Sequence, residues 1–115
     1  MNPISLITIA ELALWQRGGF DFQLLDVRRA QARGGDGSDI AGGHWLDPAL
    51  WLDWKNDVGS ERPVVVYCAH GHEISQGLTA ALRAMGVDAR HLDGGMTAWK
   101  AARQPVLPIA KEMSP

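Results

Sequence analysis

Val64-Val65-Val66-Tyr67-Cys68-Ala69-His70-Gly71-His72-Glu73-Ile74-Ser75 is the stretch whose reading decides the fold. Four apolar or aromatic residues run into the chain's single cysteine, and a short polar loop containing Gly71 follows. From Gln76 to Met85 apolar residues recur at helical spacing, and Gly86 ends the run. The pattern is strand, loop, helix, with a thiol where the strand ends. In open α/β sheets the carboxyl ends of strands are where ligands bind. The first turn of a helix adds unpaired N–H donors and the positive end of its dipole.

A free thiol has a pKa of about 8.5, and a helix N-terminus lowers it by about one unit or more. The amides that stabilise a thiolate also cradle an incoming anion. Gly71 lets the loop curl so that several N–H groups point inward. Cys68 is thus a candidate nucleophile at the bottom of an anion-binding bowl suited to oxyanions or sulfur-bearing anions. The competing reading is an inert core thiol, since free cysteines are among the most buried residue types. A position at a strand's end, ahead of a polar glycine loop, favours reactivity.

Outward from this unit, strands alternate with helices. Thr8 and Glu11 have the spacing of a capping box, and Ile9, Leu12 and Trp15 then recur at helical spacing up to Gly18-Gly19. Phe22 to Val27 reads as a strand buried on both faces. Arg28 to Arg33 allows one helical turn, whereas Gly34-Gly35-Asp36-Gly37-Ser38-Asp39 reads as a flexible surface loop. His44-Trp45-Leu46 is a short extended piece. Leu50, Trp51 and Trp54 line one side of a short helix, and for the cluster Trp45, Trp51 and Trp54 core packing is favoured over a rim or dimer patch. Asp88 to Leu92 is the last strand, and Asp93-Gly94-Gly95 turns into a final helix in which Met96 and Trp99 read as core. Pro105 and Pro108 bar its continuation, and the chain from about residue 106 reads as a loose tail. The alternation predicts an α/β fold: a mostly parallel central sheet of about five strands, with helices on both faces, in one domain spanning residues 1–115.

The 115 residues suffice for one core, and 46% of them are hydrophobic, which excludes a disordered chain. The net charge of −2, without a basic run, argues against nucleic acid and anionic membrane as partners. No stretch approaches the ~20 apolar residues of a membrane span. Met1-Asn2-Pro3-Ile4-Ser5 lacks the features of a signal peptide, and one cysteine makes no internal disulfide, so a cytoplasmic setting is expected. His70 and His72 beside Cys68 raise a zinc reading. With no second cysteine, and His44 and His91 at other strand ends, they are read as hydrogen-bonding groups that tune the thiolate. No metal and no cofactor are expected.

Four segments together resemble rhodanese-homology domains. Leu24-Leu25-Asp26-Val27-Arg28 is similar to the family's Asp-x-Arg signature, and Ile40-Ala41-Gly42-Gly43-His44 sits where the family has Ile-x-Gly-Ala. Val64 to Cys68 with its glycine loop resembles the active-site strand, and Leu92-Asp93-Gly94-Gly95-Met96-Thr97-Ala98-Trp99 resembles the C-terminal Leu-x-Gly-Gly-x-x-x-Trp motif. The order of the motifs is the family's, and they cover nearly the whole chain. The resemblance implies a sulfurtransferase in which Cys68 attacks the outer sulfur of thiosulfate or a similar donor and passes it on to cyanide or a thiol. Ala69, His70, Gly71, His72, Glu73 and Ile74 would bind the substrate, and Asp26 and Arg28 would support the site by holding the loop that follows them. The implied partners are a small sulfur-donor anion and an external thiol or sulfur-acceptor protein.

Two departures from the family pattern bear on substrate. Counted up to Ser75-Gln76-Gly77 as the start of the helix, the loop from Cys68 to Ile74 has seven residues. That is one more than the family's sulfurtransferases usually have. It is the length of relatives that handle phosphate or arsenate, such as the dual-specificity cell-cycle phosphatases. Those carry an arginine at the last loop position to grip an oxyanion, and here Ile74 stands there. The loop also carries His70, His72 and Glu73 where a basic anion hook is expected. An oxyanion enzyme of the same fold, or a non-catalytic regulatory module, is the alternative.

Overall fold

The structure is a computed structural model that describes residues 5–109. Strand β1 (Leu6–Ile7) leads into helix α1 (Ile9–Gly18). The capping box is closed: the Thr8 N–H donates to Glu11 Oε1 at 2.9 Å and the Glu11 N–H to Thr8 Oγ1 at 3.1 Å. Next come β2 (Gln23–Asp26), α2 (Ala30–Asp36), β3 (Ser38–Asp39) and β4 (Gly43–Trp45). A 3₁₀ turn, α3 (Trp51–Trp54) and a second 3₁₀ turn lead to β5 (Val64–Tyr67). Then follow α4 (Glu73–Ala84), β6 (Ala89–Leu92), α5 (Gly95–Ala101) and β7 (Leu107–Pro108).

Five strands form one sheet in the order β1-β6-β5-β2-β4, and every pairing in it is parallel. β5 lies at its centre and all four of its residues are buried. That accounts for its unbroken apolar run, since a central parallel strand has no solvent face. Val65 and Tyr67 pack with Leu12 of α1 and with Met96 and Trp99 of α5. Val64, Val66 and Cys68 pack on the opposite face with Trp54 of α3 and Leu82 of α4. The sheet is therefore covered on both sides, as the alternating elements predict. Full burial of each such Val or Leu contributes about 1.5–3 kcal/mol.

Three local expectations need correction. The glycine stretch after Arg33 is not a flexible loop, because α2 runs through Gly34 and Gly35 to Asp36, and Ser38–Asp39 forms β3. Gly37 closes the helix at φ +78°, its N–H donating to the Arg33 carbonyl. Ion pairs hold the segment: Arg28 and, from the far end of the chain, Lys100 to Asp36, and Arg28 and Arg33 to Asp39. The tail expected to be loose from about 106 is fixed at least to Ile109. Leu107 and Pro108 pair antiparallel with Asp39 and Ser38, Val106 packs on the core, and the Ile109 N–H donates to the Gly37 carbonyl. The expected tail beyond it, and the opening to Ile4, lie outside the described residues. Leu50 does not share the buried side of its helix but is 52% exposed, while Trp51 and Trp54 meet edge to face at 4.9 Å. No helix among the described residues is long and apolar enough to cross a membrane.

Candidate active site

Cys68 follows the last residue of β5 and is 5% exposed. The register pairs Asp26 with Tyr67, so the carboxyl ends of β2 and β5 stand side by side. The Val27 N–H extends this pairing by donating to the Tyr67 carbonyl at 2.8 Å. α4 starts at Glu73, two residues before the Ser75 from which a seven-residue loop is counted. The helix start is thus corrected: only Ala69 to His72 precede the helix, and Glu73 and Ile74 belong to its first turn.

The earlier helix start places Ser75, which is fully buried, over the sulfur. Its Oγ lies 3.2 Å from Cys68 Sγ and 3.5 Å from the His72 carbonyl. One hydroxyl proton serves both states. It donates to a thiolate when Cys68 is ionised, and it can turn to the His72 carbonyl when the thiol itself donates. Burial pushes the Cys68 thiol up. The Ser75 hydroxyl and the N–H groups of Ser75, His70 and Gly71 outweigh it and bring the thiol below its ordinary range.

The loop holds its shape against α5. The Met96 N–H donates to the Cys68 carbonyl and the Thr97 N–H to the Ala69 carbonyl, each at 2.9 Å. With the carbonyls tied back, the next amides are left for the sulfur. Contact is close enough to require glycine on both sides. A Cβ on Gly71 (φ +72°) would lie 2.6 Å from the Gly94 nitrogen, and one on Gly95 (φ +60°) would lie 2.4 Å from the Cys68 carbonyl oxygen. The Gly-Gly motif after Asp93 is thus the floor of the cysteine loop. Gln76 adds a tie, its Nε2 donating to the Gly71 carbonyl at 2.8 Å.

Asp26 and Arg28 form a buried pair behind the loop. The Arg28 side chain is 1% exposed and reaches Asp26 at 2.8 Å, Asp39 at 2.9 Å and Asp36 at 3.0 Å. It also donates to the Ser38 carbonyl, and its guanidinium lies 5.5 Å from the Tyr67 ring centre. Burial pulls its pKa down, but Asp26 and the other carboxylates raise it further, and it stays a cation. Burial, reinforced by Asp26, also pushes the Tyr67 phenol far above its ordinary value, so it remains neutral and can accept from the Ile40 N–H. The pair holds the segment that follows it.

A cavity of about 440 Å³ opens over Cys68. Ala69, His70, His72, Glu73 and Ile74 line it, whereas Gly71 is buried beneath it and Asp26 stands behind Arg28. Arg29 and Ala32 complete the wall beside Arg28, and sequence reasoning named neither. A second cavity of about 350 Å³ shares Arg28, Ala32, Ala69 and His70 and extends to Thr97 and Lys100. The His70 Nδ1 sits 3.0 Å from the Thr97 hydroxyl, which fixes the ring. His44 is exposed and lines neither cavity. The rings of His70 and His72 are 6.3 Å apart, and no group of three metal-ligating side chains stands together among the described residues. Ser75 left one faint trace in the sequence, a small polar residue near a helix start. Arg29, Ala32, Thr97 and Lys100 left none, because only the fold brings α2 and α5 to the end of β5.

Comparison with known proteins agrees with this geometry. The family model of the rhodanese-like domain matches residues 8–102. The probable adenylyltransferase/sulfurtransferase MoeZ of Mycobacterium tuberculosis is 32% identical over 103 residues; these are 88% of this chain but 26% of that protein, so the chain spans about a quarter of its length. A rhodanese-related protein from Thermoplasma volcanium superposes with a TM-score of 0.77 at 22% identity, covering 89% of this chain and 96% of its own. A Rhodopseudomonas palustris protein of unknown function, a possible tyrosine phosphatase, superposes with a TM-score of 0.74 at 26% identity, covering 90% and 84%.

Proposed function

The chain belongs to the rhodanese-like domain family, and from that premise we propose that it is a sulfurtransferase carrying sulfane sulfur as a persulfide on Cys68. The observation that carries the proposal is the buried Cys68 sulfur, 3.2 Å from the Ser75 hydroxyl and held below the ordinary thiol pKa at the base of an open cavity. Lowering the thiol raises the share of thiolate, the form that attacks sulfur. It attacks the outer sulfur of thiosulfate or a similar donor. A new S–S bond forms to Cys68, the donor's S–S bond breaks, and its electron pair leaves on sulfite. An acceptor thiolate or cyanide then attacks the terminal sulfur, and Cys68 departs as thiolate. The amides of the loop hold the donor's anionic end and the terminal sulfur, with Ala69 to Ile74 shaping the entrance. Asp26 and Arg28 act through the segment they fix.

With one cysteine in the chain, no resolving thiol is available within it. The acceptor is therefore an external small thiol or a sulfur-acceptor protein, and a reducing cytoplasm suits an unpaired thiol. The second reading, an enzyme acting on phosphate or arsenate, is favoured by the possible tyrosine phosphatase among the structural neighbours. It lacks an arginine at Ile74. The third reading is a regulatory module that keeps the fold without turnover. Steady-state assays with thiosulfate plus a thiol acceptor, beside a phosphate ester and arsenate, decide among them. Sulfur transfer with ping-pong kinetics supports the proposal, and turnover of the ester or arsenate alone overturns it.

A further inference from the structure

The charges around the thiol point to a class of donor. This inference rests on the sulfurtransferase reading above. The 440 Å³ cavity is in the size range of sites for small organic molecules, and a bare inorganic anion would leave most of it unfilled. Ala32, Ala69 and Ile74 give it apolar wall. Three charged side chains line it. Arg28 is committed to Asp26, Asp36 and Asp39. Arg29 and Glu73, by contrast, form no ion pair or side-chain hydrogen bond among the described residues, and both are exposed.

Glu73 in the first turn of α4 is accounted for by the helix dipole alone. Arg29 is not: it sits at the start of α2, where a cation meets the dipole's positive end. A dianion such as thiosulfate gains from Arg29 and loses to Glu73. A ligand with a carboxylate and an ammonium gains at both. We infer that the site is built for the persulfide of a small amino-acid thiol, with Arg29 taking its carboxylate and Glu73 its ammonium while the sulfane sulfur reaches Cys68. The Cys68 thiolate attacks the outer sulfur of R–S–SH. The donor's S–S bond breaks, the electron pair leaves on R–S⁻, and that thiolate takes a proton from solvent. The persulfide Cys68–S–SH results, and no oxidant or reductant is consumed.

The test compares four donors: cysteine persulfide, the persulfide of cysteamine (no carboxylate), the persulfide of 3-mercaptopropionate (no ammonium), and thiosulfate. In the wild type, kcat/KM is highest for cysteine persulfide, and each truncated donor loses about five- to tenfold. Arg29→Gln lowers kcat/KM for cysteine persulfide by the same factor, through KM, and does not change cysteamine persulfide. Glu73→Gln does the same for cysteine persulfide and raises turnover of the two anionic donors that lack an ammonium, 3-mercaptopropionate persulfide and thiosulfate. A general structural defect would lower all donors together and cannot give this crossed pattern. If the variants depress all donors equally, or leave the ranking of donors unmoved, the inference is overturned while the transferase reading stands. If no donor places sulfur on Cys68 in the wild type, both fall.

Discussion

Cys68 Sγ and Ser75 Oγ lie 3.2 Å apart, one at the end of the central strand and the other in the first turns of the helix that follows. The contact joins strand, loop and helix into one chemical unit. Ser75→Ala removes a hydroxyl that donates to the thiolate and leaves the three amides in place. The thiol's ionisation midpoint should rise, and alkylation by iodoacetamide near neutral pH should slow by about tenfold, as expected for a hydrogen bond to a charged group. An unchanged alkylation profile would show that the amides alone set the thiol.

The lowered thiol also makes stability depend on pH. The unfolded thiol titrates at about 8.5 and the folded one below that. Ionised Cys68 therefore contributes stability that is fully present above the unfolded value and is lost as pH falls through the folded value. The difference in unfolding midpoint between wild type and Cys68→Ser should grow in favour of the wild type as pH rises across that window. A flat difference would contradict the assigned direction.

Arg28 is a different case, since its worth lies in what its removal leaves behind. Arg28→Met takes from the Asp26 carboxylate, which is 1% exposed, its closest cation and leaves it only the longer Arg33 contact at 3.5 Å. The expected loss is about 3–5 kcal/mol, seen as a fall in Tm of roughly 10–20 °C. Arg28→Lys keeps the charge but not the fork that spans three carboxylates, and should cost less. Equal losses for the two variants would show that shape, not charge, is what the site needs.

Two glycines give opposite expectations. Gly95→Ala drives a methyl to 2.4 Å from the Cys68 carbonyl at φ +60°, and should cost about 2 kcal/mol or more while disturbing the thiol. Gly77 is exposed inside α4, with nothing within 4 Å of its added Cβ. Gly77→Ala should stabilise by about 0.5–1 kcal/mol. Thermal unfolding of the pair separates a glycine that the site requires from one that it does not.

Much of this was legible in the sequence, and the residues say why. The capping box at Thr8 and Glu11, the apolar run of β5 and the turn at Gly94-Gly95 are local signals, and each formed as read. Gly34 and Gly35 misled because α2 is held by ion pairs to Asp36, one from nearby Arg28 and one from Lys100, distant in sequence. Val106 to Ile109 misled for the same reason: its strand partner is Ser38–Asp39. The start of α4 was placed two residues late because Glu73 and Ile74 read as loop once Ser75 was matched to the family's helix. Their place in the first turn is what brings Ser75 to the sulfur. The nucleophile could thus be read from the chain, but the groups that tune it required the fold.

The central claim is that Cys68 carries transferable sulfur, and intact-mass measurement tests it most directly. The wild type and Cys68→Ser are each incubated with excess thiosulfate and, separately, with cysteine persulfide, then freed of donor and weighed. The account predicts that only the wild type gains the mass of one sulfur atom, and that adding a thiol acceptor removes it. A wild type that gains no sulfur from either donor, or a Cys68→Ser variant that gains as much, would contradict it.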